Sequence, residues 1–335
     1  VRDAIRTLAA LVGNTAADEK TRDAWLRRLW RAVEEDDVGY LDTLTDHWGT
    51  LCGSPDTASR WADEFLSPTR TALRPDRSPG DYFRGSSACL SCLLAARRYE
   101  EVLGLVKDEG WWHYREFGVN ALLAMGKTEE SLRFAEASRS GRPMRAEFKD
   151  GHAVLIDRKC EEILIAAGRV DEAYERYALF TARGRTMLSR FREIAGRYPK
   201  RDERQILEDL IRSTPGEEGK WFATAHQLGL YDLAIDLADR SPCDPRTLGR
   251  AAEKRLGDRP QFALEVALAA LRWLCAGQGY EITGADVLRA YRVALKAAEA
   301  LGVSSETSGR ISGMLENDRS AGRFVSRVLD GHQRH

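Results

Sequence analysis

The sequence is poor in the features that mark several large protein classes. No apolar run comes near the ~18 residues that a membrane-crossing helix needs, so no membrane partner is expected. The opening Val1-Arg2-Asp3-Ala4 has no apolar signal segment and no Met, which leads us to expect a fragment or a processed product. Cysteine is sparse: the six in 335 residues lie at 52, 89, 92, 160, 243 and 275, mostly in helical patterns beside apolar residues. That usage points away from a disulfide framework and toward reduced, buried thiols in the cytoplasm. An excess of charge is missing too. Lys+Arg number 51 against 52 Asp+Glu, so no global field attracts nucleic acid or membrane, although local patches remain open.

What is present is helical periodicity, and no segment alternates convincingly as a strand. Apolar residues are 43% of the chain, enough to bury a core. Trp25, Leu26, Leu29, Trp30 and Val33 fall on one helical face. A second helix is expected near 40–51, with Leu41, Leu44 and Trp48 inward. A third starts at Ser54-Pro55, with Ser54 as N-cap and Pro55 at the first helical position. The segment 67–81 carries Pro68, Pro75, Pro79 and Gly80 among polar residues, and reads as a linker or long loop. The expected organisation is a three-helix N-terminal block over 1–66, the linker over 67–81, a helical-repeat domain over 82–302, and a C-terminal helix with a frayed tail over 303–335.

Four junctions share one layout: a helix ending in Ala or Leu, a small turn, then an acidic residue and a new helix. They centre on Ala96-Arg97-Arg98, Met125-Gly126-Lys127, Ala167-Gly168-Arg169 and Leu228-Gly229-Leu230. Gly126, Gly168 and Gly229 suit a left-handed helix end. The acidic residues suit the first turn of the next helix. A small residue follows in that helix and lets two helices approach. Successive units lie 29 (Val102 to Ser131), 42 (Ser131 to Ala173) and 61 (Ala173 to Ala234) residues apart, a period of about 30 with an insertion over 138–151 and one degenerate unit. This layout resembles the tetratricopeptide-repeat-like helical superfamily over roughly 85–240. Gly168, Asp171, Glu172, Ala173 and Tyr177 match its G-x-x-x-x-A element best. The family's early Trp and closing Pro have no counterparts at matching places. The resemblance implies an all-α solenoid of antiparallel helix pairs and carries over no functional residue. Farther on, 263–276 and 285–301 read as a helical hairpin, with Thr283 and Asp286 as a variant capping box.

Sites that bring chemistry with them are scarce. Gly126-Lys127-Thr128 has Ala121 where a phosphate-binding loop needs its first Gly, and it follows a helix rather than a strand. Gly277-x-Gly279 has Ile282 where a dinucleotide fingerprint needs its third Gly. Cys89-x-x-Cys92 has no second pair to complete a zinc site, although His47 and Cys52 on another helix could converge with it. No H-E-x-x-H, G-x-S-x-G or evident Ser/His/Asp set occurs. No cofactor or metal is therefore expected. His113 and His226 read as structural groups, and the acidic run 34–37 as a solvated loop.

Two stretches are candidates for binding. Over 181–204, eight basic residues face three acidic ones, and Arg183, Arg190 and Arg197 recur every seven residues, which keeps them on one helical face. Arg201 extends that stripe. Trp111 and Trp112, with Tyr114 and Phe117, form an aromatic cluster that serves as core or as a binding anchor. The leading expectation is a non-catalytic scaffold that holds a protein or peptide segment, of acidic character, on a helical-repeat surface. Two alternatives remain open: a nucleic-acid-binding helical repeat that uses the same arginines, and an enzyme whose acids converge only in three dimensions. The enzyme reading needs a deep pocket with two close acids or a His–acid pair.

Overall fold

A computed structural model describes residues 2–77, 82–140 and 149–333. Among them every regular element is helical and no strand occurs. No described helix is long and apolar enough to cross a membrane. The chain divides into two compact units, Val1–Thr181 and Ala182–His335.

The first unit runs α1 (Arg2–Asn14), α2 (Glu19–Glu34), α3 (Asp42–Thr45), α4 (Trp48–Cys52), α5 (Pro55–Ala72), α6 (Ser86–Ala95), α7 (Tyr99–Val106), α8 (Trp112–Ala124), α9 (Thr128–Ala137), α10 (Lys149–Ala166) and α11 (Val170–Ala173). A π-helical segment, Tyr174–Ala178, then leads into α12 (Leu179–Thr181). Ser54 caps α5 by accepting the Thr57 N–H at 3.2 Å, and Pro55 opens that helix. The helix expected over 40–51 is two short ones, α3 and α4. The N-terminal block also holds α1, a helix beyond the three expected.

The expected linker lies within the first unit, and its first residues are not loop. Helix α5 continues through Ser67 and Pro68 to Ala72. Pro68 sits on the exposed face, while Thr69 and Ala72 of the same turn are buried. Burial of that face outweighs the one N–H that proline removes. Pro79 and Gly80 lie outside the described residues, as does most of the expected insertion.

Aromatic rings from four segments build the core of this unit. Trp30, Trp48, Trp61, Phe65 and Phe83 form a chain of contacts, among them Trp30–Phe65 at 4.6 Å and Trp48–Trp61 at 5.6 Å between ring centres.

The four junctions share one geometry. Arg97, Gly126, Gly168 and Gly229 all take left-handed φ, at 61°, 76°, 79° and 75°. The N–H of the next residue bonds back five positions, Arg98 to Leu93, Lys127 to Leu122, Arg169 to Leu164 and Leu230 to Ala225, at 2.9–3.0 Å. That is the Schellman ending, which satisfies carbonyls a helix end leaves open. Four residues further on, Val102, Ser131, Ala173 and Ala234 are each fully buried. Ion pairs then tie one helix pair to the next: Arg98 to Asp63 at 2.6 Å, Arg169 to Glu129 and Arg176 to Glu136.

The second unit runs α13 (Met187–Arg197), α14 (Glu203–Arg212), α15 (Phe222–Gln227), α16 (Tyr231–Arg240), α17 (Pro245–Arg255), α18 (Pro260–Cys275), α19 (Gly284–Leu301), α20 (Ser304–Glu316) and α21 (Phe324–Gln333). The expected hairpin is α18 packed on α19. The capping box at Thr283 and Asp286 opens α19. Helices α16, α18 and α20 pack in one series, and α17, α19 and α21 in another. The segment after Gly302 holds two helices where one and a frayed tail were expected, and α21 remains helical to Gln333.

Candidate functional site

A cleft of about 680 Å³ opens in the first unit along α1, α3, α4, α6 and α8. It rests on the crossing of α4 and α6. A Cβ on Gly49 would stand 2.2 Å from the Ser91 carbonyl oxygen and 2.8 Å from the Ala95 Cβ, so only glycine permits this approach. At the same point Ser91 Oγ accepts the Gly49 N–H at 3.0 Å and donates to the Asp46 carbonyl at 2.9 Å. Those bonds fix Asp46 and His47 at the rim.

Helix α8 supplies the opposite wall. Its His113, Glu116, Phe117 and Asn120 recur at i, i+3, i+4 and i+7, one helical face turned to the cleft. The other side of α8 is closed. A Cβ on Gly118 would meet Val106 at 2.8 Å and Phe134 at 3.0 Å. Leu94, Ala95 and Phe117 give the cleft an apolar floor, and Thr43, Thr50 and Asn120 edge it with neutral donors and acceptors.

The charged groups are largely matched. His113 Nε2 stands 3.1 Å from Asp46 Oδ1, and Glu116 pairs with Lys159 of α10 at 3.5 Å. His113 is about half exposed, at 52% of its side chain. This His–acid pair is what the enzyme alternative asked for, and no local pattern announced it because Asp46, in the turn between α3 and α4, and His113, on α8, lie far apart in sequence. The geometry does not make a relay. Ser87 Oγ approaches the same Nε2 at 2.8 Å, and Ser87 is only 5% exposed. Acyl transfer needs the nucleophile on one ring nitrogen and the orienting acid on the other.

The sequence-derived candidates fall elsewhere. Thr186 forms a capping box with Ser189, so α13 begins at Met187 and Arg183 lies outside it. The seven-residue stripe is thus broken at its first member. Arg183 is exposed, and its backbone N–H donates to Glu193 at 2.9 Å. Arg190, Arg197 and Arg201 are half-buried, and Arg197 lies 3.8 Å from Glu193 one turn earlier. Trp112 is buried. Trp111 is half-buried, stacked on Tyr114 with ring centres 6.1 Å apart, and has the Arg77 guanidinium 6.0 Å from its ring. Trp112 therefore serves packing, while Trp111 packs on Tyr114 and stays partly exposed.

All six cysteines are free and buried. Burial pushes the thiols of Cys89 and Cys160 up to about 11 and those of Cys243 and Cys275 to about 12. Cys92 Sγ lies 3.8 Å from Cys52 Sγ. Among the described residues, no group of three or more His, Cys, Asp or Glu side chains is placed to hold a metal ion. The run 34–37 organises a turn: Asp36 accepts the N–H groups of Val38, Gly39 and Leu41.

No protein-family model, curated protein or solved structure matches the chain.

Proposed function

We propose that this chain is a non-catalytic protein-interaction scaffold: a solenoid of antiparallel helix pairs, of tetratricopeptide-repeat-like layout, that holds a partner segment in the cleft of its first unit. One observation carries the reading. The cleft runs along α4, α6 and α8, the first helices of the consecutive pairs α4–α5, α6–α7 and α8–α9. Stacked repeats turn equivalent helices toward one face, and that face becomes an extended binding surface. An apolar floor flanked by Asn and Thr side chains suits an extended chain, because each neutral donor or acceptor can meet a backbone amide. The free, buried thiols suit a reducing compartment.

The test places a photo-reactive phenylalanine at Thr50, an exposed rim position, and crosslinks in host lysate with and without nuclease. The expected result is a crosslink to one defined protein segment that survives nuclease and disappears when Asn120→Arg fills the cleft at unchanged melting temperature. No protein crosslink, or one indifferent to Asn120→Arg, overturns the proposal.

The His113–Asp46 pair favours a second reading, acid–base chemistry in the same cleft. The shared ring nitrogen and the buried Ser87 speak against it. A turnover lost on His113→Gln with the fold retained would install it in place of the scaffold.

A further inference from the structure

The second unit carries a cationic face that the sequence pattern did not single out. Helices α17 and α19 lie side by side. Two ion pairs join them, Arg246 to Asp286 at 3.5 Å and Arg289 to Glu253 at 3.2 Å. The pairs occur in the same order along both helices, so the helices run in the same direction. Around this seam, Arg246, Arg250 and Lys254 recur every four residues on α17. Arg289, Arg292 and Lys296 recur at i, i+3 and i+7 on α19. Each trio therefore occupies one helical face. The two acids of the seam are engaged by Arg246 and Arg289. Arg250, Lys254, Arg292 and Lys296 are exposed, and among the described residues their side chains make no ion pair. The whole chain has a net charge of −1, so this is segregation of charge rather than general basicity. A neighbouring group registers the local field. Burial, and after it Arg255 and Lys254, hold the His226 imidazole below its usual value.

We propose that the α17–α19 face is a docking site for an extended acidic protein segment. The inference rests on the scaffold reading and gives it a second contact with a defined partner chemistry. The spacing fits that occupant. Residues four apart on a helix rise about 6 Å, while alternate side chains of an extended peptide lie about 7 Å apart. Packed helices stand about 8–10 Å apart, which leaves room for one strand between the two rows. Single-stranded nucleic acid fits less well, because such sites interleave cations with exposed aromatic platforms. Tyr291, the aromatic residue between Arg289 and Arg292, is half-buried and already engaged.

The test is fluorescence anisotropy of a labelled octaglutamate peptide at low and moderate salt. Three quadruple variants of equal charge change are compared with the parent chain. One carries Arg250→Gln, Lys254→Gln, Arg292→Gln and Lys296→Gln. The second, in the first unit, carries Lys20→Gln, Arg28→Gln, Arg31→Gln and Arg133→Gln. The third carries Arg183→Gln, Arg185→Gln, Arg192→Gln and Lys200→Gln. All twelve positions are exposed, so each variant is required to keep its helicity and melting temperature. We expect the α17–α19 variant to weaken binding about tenfold or more, and the other two about twofold at most. Equal losses in all three, or the largest loss in the third, overturn the site. Tighter capture of oligothymidylate than of octaglutamate, abolished by the α17–α19 variant, overturns the partner class. Absence of octaglutamate binding overturns this inference alone, because the crosslink at position 50 reads the cleft independently.

Discussion

Two glycine substitutions separate the two jobs that glycine performs in this fold. Gly49 is required by proximity: a Cβ there would collide with the Ser91 carbonyl at 2.2 Å and the Ala95 Cβ at 2.8 Å, and neither is the movable end of a flexible side chain. Gly49→Ala must push α4 away from α6, at an overpacking cost of about 1–3 kcal/mol. The shift also disturbs the hydrogen bond from Gly49 to Ser91, worth about 1 kcal/mol. Against this, alanine improves helix propensity by roughly 0.5–1 kcal/mol. The net loss is then about 2–3 kcal/mol, and at about 2–4 °C per kcal/mol the melting temperature of the first unit falls by roughly 4–12 °C. Gly126 is required by φ alone. It sits at 76°, and beyond its own chain neighbours no atom lies within 4 Å of its would-be Cβ. Gly126→Ala costs about 1–2 kcal/mol for the left-handed conformation, less about 0.4–1 kcal/mol from a stiffer unfolded chain, a net loss centred on about 1 kcal/mol, so its melting point falls by only about 2–4 °C. Thermal unfolding followed by circular dichroism measures both. A Gly49→Ala protein that melts within about 1 °C of the parent, or above Gly126→Ala, would refute the close crossing on which the cleft is built.

Asp318 organises the turn between α20 and α21. Its carboxylate accepts the backbone N–H groups of Ser320 and Ser326, both at 2.9 Å, and both serine hydroxyls. Burial alone would raise its pKa, but these donors outweigh burial and hold it below the usual carboxylate value. The stabilisation is complete above about pH 4 and is lost as pH falls through the lower folded-state value. Asp318→Asn should cost about 1–3 kcal/mol near neutrality and flatten the acid limb of a stability-versus-pH curve. A variant with the parent's acid limb would contradict this. Arg115 is buried at 8% exposure, donates to Ser138 Oγ at 2.6 Å and to the carbonyls of Lys107 and Glu109, and lies 4.0 Å from the Phe134 ring. Arg115→Met should destabilise by about 3 kcal/mol or more, because several buried acceptors lose their donor together, and denaturant unfolding would register it. The buried thiols, several of them pushed up to about 11 or 12, should react with a disulfide reagent only at the rate of unfolding. Fast labelling of the native protein would show that burial is not what governs them.

The helical architecture was legible where the signal is local. The left-handed ends at Gly126, Gly168 and Gly229, the cap at Ser54 and the capping box at Thr283 each depend on residues within a few positions of one another. Arg97 was legible only by analogy with the other three turns, since its side chain gives no hint of a φ of 61°. Pro68 misled for the opposite reason: its breaking tendency is local, while the burial of Thr69 and Ala72 that overrides it is tertiary. The helical register of the arginine stripe breaks at Thr186, whose cap starts the helix at Met187, four residues beyond Arg183. The cleft was beyond a linear reading. Its floor depends on a glycine used for close approach, and its charged pair joins a turn residue, Asp46, to a residue of α8 far along the chain. The α17–α19 face lay beyond it too, because cations spaced every three or four residues look like any solvated helix until two such helices are found side by side.

On the proposed function, the first unit holds a partner segment along α4, α6 and α8. Hydrogen exchange of the chain, alone and with the segment recovered by crosslinking at position 50, reads it most directly. Slowed exchange is expected in α4, α6 and α8, with unchanged rates in α7 and α9 on the closed side. Protection spread evenly over the unit, or none in these three helices, would contradict it.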